Sequence, residues 1–148
     1  MTPDLVFPAA NSAALAGWLV LILIPRRFTR ITGLPRTAIP LALSVLYTGL
    51  ILTYFGAGAG GYGSISEVRQ LFASDEVLLA GWTHYLAFDL LVGALMADRM
   101  DRAGVHRLIH APILVSIFMF GPLGFLLAFL TEAGLRHAPR FPLKGIVQ

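Results

Sequence analysis

Val77-Leu-Leu-Ala-Gly-Trp-Thr-His-Tyr-Leu-Ala-Phe-Asp-Leu-Leu-Val-Gly-Ala-Leu-Met-Ala97 decides the fold. It is about as long as the ~20 apolar residues that a membrane-crossing helix needs, and His84 and Asp89 are its only strongly polar interruptions. Ser74, Asp75 and Glu76 precede it, which suits the positive N-terminal end of a helix. Arg99 and Arg102 follow it, as basic residues do at a membrane boundary. Three more apolar blocks match this one. The first runs from Pro8 to Ile24 and is closed by Pro25, Arg26 and Arg27. The second runs from Ala38 to Phe55, with Pro40 in its first turn, where a missing N–H is tolerated. The fourth runs from Leu108 to Thr131 and contains Pro112 and Pro122. The pattern predicts an all-α membrane protein with four transmembrane helices, residues 1–148 forming one integral membrane domain.

Composition agrees with that reading. Of 148 residues, 57% are hydrophobic and 13% charged, too apolar for a soluble enzyme or a disordered chain. The absence of cysteine excludes disulfide frameworks, thiol nucleophiles and zinc-thiolate sites. The net charge of +3 comes from basic residues placed between and after the apolar blocks, which indicates membrane-surface chemistry and no nucleic-acid partner. Arg26, Arg27, Arg30 and Arg36 fall in the first loop, and Arg99, Arg102 and Arg107 in the third. With four spans these face Arg69 in the second loop and Arg136, Arg140 and Lys144 in the tail, seven against four, which predicts both termini outside the cytoplasm. No basic segment precedes the first block, so it reads as a retained helix and not as a signal or transit peptide.

The second loop opens glycine-rich at Gly56 and turns amphipathic. Ser64-Ile-Ser-Glu67 fits a capping box, and Ile65, Val68, Leu71 and Phe72 share one helical face. A short amphipathic surface helix from Ile65 to Ala73 is therefore expected between the second and third spans. Gly58 to Gly63 matches a dinucleotide fingerprint as a string, but no strand precedes it, so it reads as a flexible loop.

Asp89 carries the most information. A carboxylate near the centre of a membrane helix costs roughly 2.5–3.5 kcal/mol on insertion scales, so it faces the bundle interior, a polar cavity or a partner. At about 100° per residue, Trp82, Tyr85, Asp89, Gly93 and Met96 form one stripe. His84 points about 140° away, so it and Asp89 meet different neighbours or opposite edges of one cavity. The catalytic candidates are Asp89, His84 and Tyr85. On the first helix, Asn11 and Trp18 lie on a stripe that suits either interhelical hydrogen bonding or ligand contact. Tyr47 and Tyr54 stand two turns apart on the second helix and suit an apolar slot with polar ends, or packing. Phe120 and Pro122 flank an interruption in the fourth block, either a packing kink or the wall of a cavity. With Trp82 these make the candidate ligand contacts. Asp98, Asp101, His106 and His110 cluster near the third loop without a standard metal spacing. They read as interfacial ion pairs, and no metal or cofactor is expected.

Asn11, Trp18 and Pro25-Arg26, then Gly60-Gly-Tyr-Gly63, then Gly81-Trp-Thr-His-Tyr-Leu-Ala-Phe-Asp-Leu-Leu-Val-Gly93, then Phe118-Met-Phe-Gly-Pro-Leu-Gly124 occur in order. This series resembles the abscisic acid-deficient-four-like (neoxanthin synthase-like) family of small integral membrane proteins, from about Phe7 to Leu130, in a bacterial-type member. Plant relatives are required to make neoxanthin from violaxanthin. The resemblance implies a multi-pass protein that acts on or binds a carotenoid or related isoprenoid lipid. Its reaction would be an isomerisation that opens an epoxide and forms an allene, with Asp89 as general acid and His84 or Tyr85 in the second proton transfer. A non-catalytic carotenoid-binding or scaffold protein is the alternative, and a small transporter the next. Expected partners are membrane lipid, a carotenoid or isoprenoid ligand, and a second copy or a carotenoid-pathway enzyme. The expected location is a bacterial inner membrane.

Overall fold

The structure, a computed structural model, describes residues 2–24, 29–57 and 59–137. Arg26, Arg27, Gly58, Arg140 and Lys144, which enter the charge and glycine patterns above, lie outside the described residues. The described chain is helical, with no strand. Helix α1 spans Pro3–Leu23, α2 Thr29–Gly33, and a π-turn Leu34–Ala38 leads into α3, Ile39–Tyr54. Helix α4 is Ile65–Leu71, α5 Asp75–Arg102, α6 Arg107–Phe120 and α7 Pro122–His137. The expected surface helix is present as α4, with the Ser64 hydroxyl accepting from the Glu67 N–H at 3.2 Å. Ser74 caps α5 in the same way, through the Val77 N–H.

Among the described residues three helices are long and apolar enough to cross a membrane: α1, the segment Ile31–Tyr54, and α5. Helix α5 is central. It runs parallel to α1, with Trp82 meeting Asn11 and Gly93 meeting Trp18. It runs antiparallel to α3, with His84 beside Tyr47 and Asp98 beside Arg36. Apolar burial does not drive helices together in lipid, so close approach does. Gly17 admits the Leu90 side chain and Gly93 admits the Trp18 ring. Trp18, Leu90, Met96 and Met100 fill the resulting core.

The expected fourth span is corrected. Leu108–Thr131 is not one helix but part of two, α6 and α7, joined by Gly121 alone. Gly121 has φ +37°, a left-handed value that suits glycine, and Pro122 begins the next helix without a backbone N–H to continue the first. Helix α7 then folds back along α6. Gly124 lies against the backbone of Ile117, Ala128 shares a core cluster with Ile113 and Leu114, and Glu132 reaches Arg99. The buried faces of α7 explain the packing: Gly121, Gly124, Ala128 and Glu132 recur every three or four residues, and all four are buried. The hairpin therefore starts and ends at the Arg99 end of α5, and its tip stops beside Asp89 near the middle of that helix.

This changes the charge count. The end of α7 returns to the level of Arg99, so its last turn lies at the same end as Arg36, Arg99 and Arg107 and not opposite them. Of the seven Lys and Arg among the described residues, Arg30, Arg36, Arg99, Arg102, Arg107 and Arg136 then belong to one end and Arg69 to the other. At the Arg99 end the charges are paired. Arg36 donates through Nε and Nη2 to Asp98 Oδ1, each at 3.1 Å. Arg99 Nε donates to the buried Glu132 Oε2 at 2.7 Å, and His110 Nδ1 lies 3.2 Å from Asp101 Oδ1. Arg107 donates to the Ile24 carbonyl at 3.0 Å. The expected ion-pair reading of Asp98, Asp101 and His110 describes this end. Among the described residues no three such side chains gather as a metal site.

Candidate functional site

The site forms where the hairpin tip meets the stripe on α5. Pro122 has no N–H, so the Phe118 carbonyl four residues earlier lacks its helical donor. The Tyr85 hydroxyl fills that role, donating to Phe118 O at 3.4 Å. One turn further on, Asp89 interacts with Tyr85 and sets its carboxyl against Gly121. A methyl group at Gly121 would stand only 2.8 Å from Oδ1 and 3.0 Å from Oδ2. Asp89 Oδ2 is inaccessible and has no hydrogen-bond partner among the described residues. The first turn of α7 begins at this point. Its leading N–H groups have no helical acceptors, so the positive end of a helix faces the carboxyl.

Further toward the Asp75 end, Trp82 Nε1 donates to Asn11 Oδ1 at 3.0 Å, and the Asn11 amide donates to the Phe7 carbonyl at 2.8 Å. The Trp82 ring lies between Phe7 and Tyr85, with centroids 5.8 and 5.4 Å away. Because the hairpin covers only the Arg99 half of the α1–α5 groove, Trp82 remains 39% exposed and Phe7 46%. Above them opens a cavity of about 430 Å³ lined by Pro3, Asp4, Phe7, Asp75, Leu78 and Trp82. Trp82 thus stands between this cavity and the Tyr85–Asp89 pair, which sits roughly 10 Å deeper at ~1.5 Å rise per residue. Trp18 is fully buried, packed on Gly93 and Phe118, so it supports the groove from below.

The sequence-predicted residues divide by helix face. Asp89, Tyr85, Trp82 and Asn11 come together on the α1 side of α5. His84 lies on the α3 side, stacked on Phe88 at 4.5 Å and 5.3 Å from the Tyr47 ring. It is therefore not paired with Asp89. Tyr54 is half-buried near the end of α3, away from Asp89. Phe120 and Pro122 stand at the hairpin tip with exposed side chains, and the contact with Asp89 is made by Gly121 instead. Gly121 was not among the candidates, nor was Glu132. The spacing of Gly121, Gly124, Ala128 and Glu132 was the signal for both, since it marks one narrow face of an otherwise bulky helix.

A family model described as ABA DEFICIENT 4-like matches residues 5–127, which covers α1 through to the middle of α7. No curated protein matches, and no solved structure does. The match spans Phe7, Asn11, Trp82, Tyr85, Asp89 and Gly121, and the apolar helices make the chain a membrane protein. The chain belongs to the ABA DEFICIENT 4-like family.

Proposed function

We propose that this protein is a membrane isomerase acting on a carotenoid or related isoprenoid lipid, in a bacterial inner membrane. The observation that carries the reading is the Asp89 carboxyl, held at mid-helix against Gly121 beside the Tyr85 hydroxyl, with Oδ2 buried and without a hydrogen-bond partner among the described residues. A general acid in a water-poor groove delivers a proton to an epoxide oxygen as the ring C–O bond breaks. Loss of a proton from a neighbouring polyene carbon then completes the isomerisation, and atoms balance without a co-reactant. His84 is on another face of α5, so the second transfer falls to the Asp89 carboxylate, returning to its acid form, or to Tyr85. Family membership supports the carotenoid substrate.

A second reading, a non-catalytic carotenoid binder or scaffold, is favoured by one observation. The larger cavity ends at Trp82, and Asp89 is not among its walls. One experiment separates the two. The gene is expressed in a carotenoid-producing host, with Asp89→Asn and Trp82→Ala variants alongside, and pigments are resolved chromatographically. Conversion lost in Asp89→Asn while pigment still copurifies supports the isomerase. Copurifying pigment with no product from any form supports the binder. Absence of both pigment and conversion removes the carotenoid reading.

A further inference from the structure

The mechanism above leaves His84 and Tyr47 unused, and they help to line a second cavity on the opposite face of α5. It measures about 270 Å³ and is walled by Tyr47, Phe55, Tyr62, Phe72, Gly81 and His84. Its construction is specific. Phe55 and Tyr62 stack at 5.8 Å with their planes 21° apart, and His84 stacks on Phe88. Helix α4 closes the Asp75 end, with Leu71 buried and the Phe72 ring pressed on Gly81, where a methyl group would stand 2.6 Å from Cε1. Among the described residues no charged side chain lines it. The Tyr47 and Tyr62 hydroxyls and the His84 imidazole are the polar groups on its walls.

We propose that this cavity binds the head group of a prenylated quinone. Each feature selects for that chemistry. Aromatic walls favour a flat ring, by offset stacking at centroid separations of about 4.5–7 Å. The absence of charge selects a neutral ligand, and the two hydroxyls and the imidazole are donors suited to ring carbonyl oxygens. The volume lies just below the ~300–1,000 Å³ of drug-sized pockets, so it holds one substituted ring and not a folded chain. The apolar tail has its own route, because His84 and Phe88 are exposed on the membrane face of α5. The site lies on the other side of α5 from Asp89 and does not depend on the isomerase reading.

The test uses the full-length protein in lipid nanodiscs, titrated calorimetrically with a decyl-substituted benzoquinone, with empty nanodiscs subtracted. Decanol is the control for tail partitioning. The expected result is saturable binding of one quinone per chain, with no saturable binding of decanol. Tyr47→Phe and His84→Leu should each weaken it roughly three- to tenfold, the scale of one lost ligand hydrogen bond, while Asp89→Asn binds as the native chain does. Should His84→Leu fail to fold, Tyr47→Phe, which only removes a hydroxyl, decides alone. Equal behaviour of quinone and decanol, native-like affinity in Tyr47→Phe, or loss of quinone binding in Asp89→Asn would each overturn the assignment.

Discussion

The Asp89 carboxyl rests directly on the Cα of Gly121, so the one acidic side chain at mid-depth of α5 and the one-residue turn of the α6–α7 hairpin occupy a single locus. Each accounts for the other. A side chain at Gly121 would drive the carboxyl away. A continuous fourth span would carry residue 121 past Asp89 without leaving a helix N-terminus there.

Replacement of Gly121 by alanine tests this contact. Two costs add: an L-residue at φ +37°, and a methyl group 2.8 Å from Asp89 Oδ1. Backbone strain of this kind costs of order 1–3 kcal/mol. Gly121→Ala should therefore lower the midpoint of thermal unfolding in detergent. The double variant Gly121→Ala with Asp89→Gly should recover the steric part and leave the backbone part. Identical midpoints for the single and double variants would show that the carboxyl does not press on the turn.

Asp89→Asn keeps the shape of the side chain and removes its titrating proton. If Asp89 is the general acid, the variant should fold as the native chain does and lose conversion by roughly 10²-fold or more, the usual scale for such a group. A well-folded Asp89→Asn protein with native conversion would leave Asp89 a packing residue.

How much of this was legible in the sequence depends on the kind of signal. Three spans, the α4 capping box and the α5 cap were readable because they rest on local composition and on side chains within three residues of each other. The stripe joining Trp82, Tyr85 and Asp89, and the separation of His84 from it, followed from helical geometry alone. The fourth span was misread because Leu108–Thr131 has the length and apolarity of a crossing helix, and hydropathy has no term for direction. What reverses the chain is a positive φ at Gly121 followed by a proline, a feature that the sequence presents equally as a kink. The partner of Arg99 was hidden for the same reason, since Glu132 approaches it only when α7 turns back.

That pairing makes its own prediction. Glu132 is 3% exposed and accepts from Arg99 at 2.7 Å, with the guanidinium also 5.7 Å from the Phe129 ring. Removing one partner of a fully buried ion pair costs about 3–5 kcal/mol, whereas replacing both by apolar groups is often near neutral; the Arg99 side chain is 34% exposed, so the cost here falls below that range. Arg99→Met should be destabilising in chemical denaturation, and Arg99→Met with Glu132→Leu should regain part of the loss. No recovery in the double variant would mean that the other contacts of Glu132, and not its charge, dominate.

The hairpin predicts a side of the membrane for the end of α7 that four spans would forbid. The chain has no cysteine, so single introduced cysteines report cleanly on which side of the membrane they lie. Three exposed positions decide the matter: Ser66 in α4, His106 before α6, and Gly134 near the end of α7. With six of the seven described basic residues at the Arg99 end, that end should be cytoplasmic. An impermeant maleimide added to spheroplasts should therefore label Ser66→Cys and spare both His106→Cys and Gly134→Cys until the membrane is broken. Gly134 discriminates, because nothing lies within 4 Å of a methyl group built there and its substitution should leave packing intact. Labelling of Gly134→Cys together with Ser66→Cys would mean that α6 and α7 cross the membrane in sequence. The contact between Arg99 and Glu132 could not then exist in the bilayer.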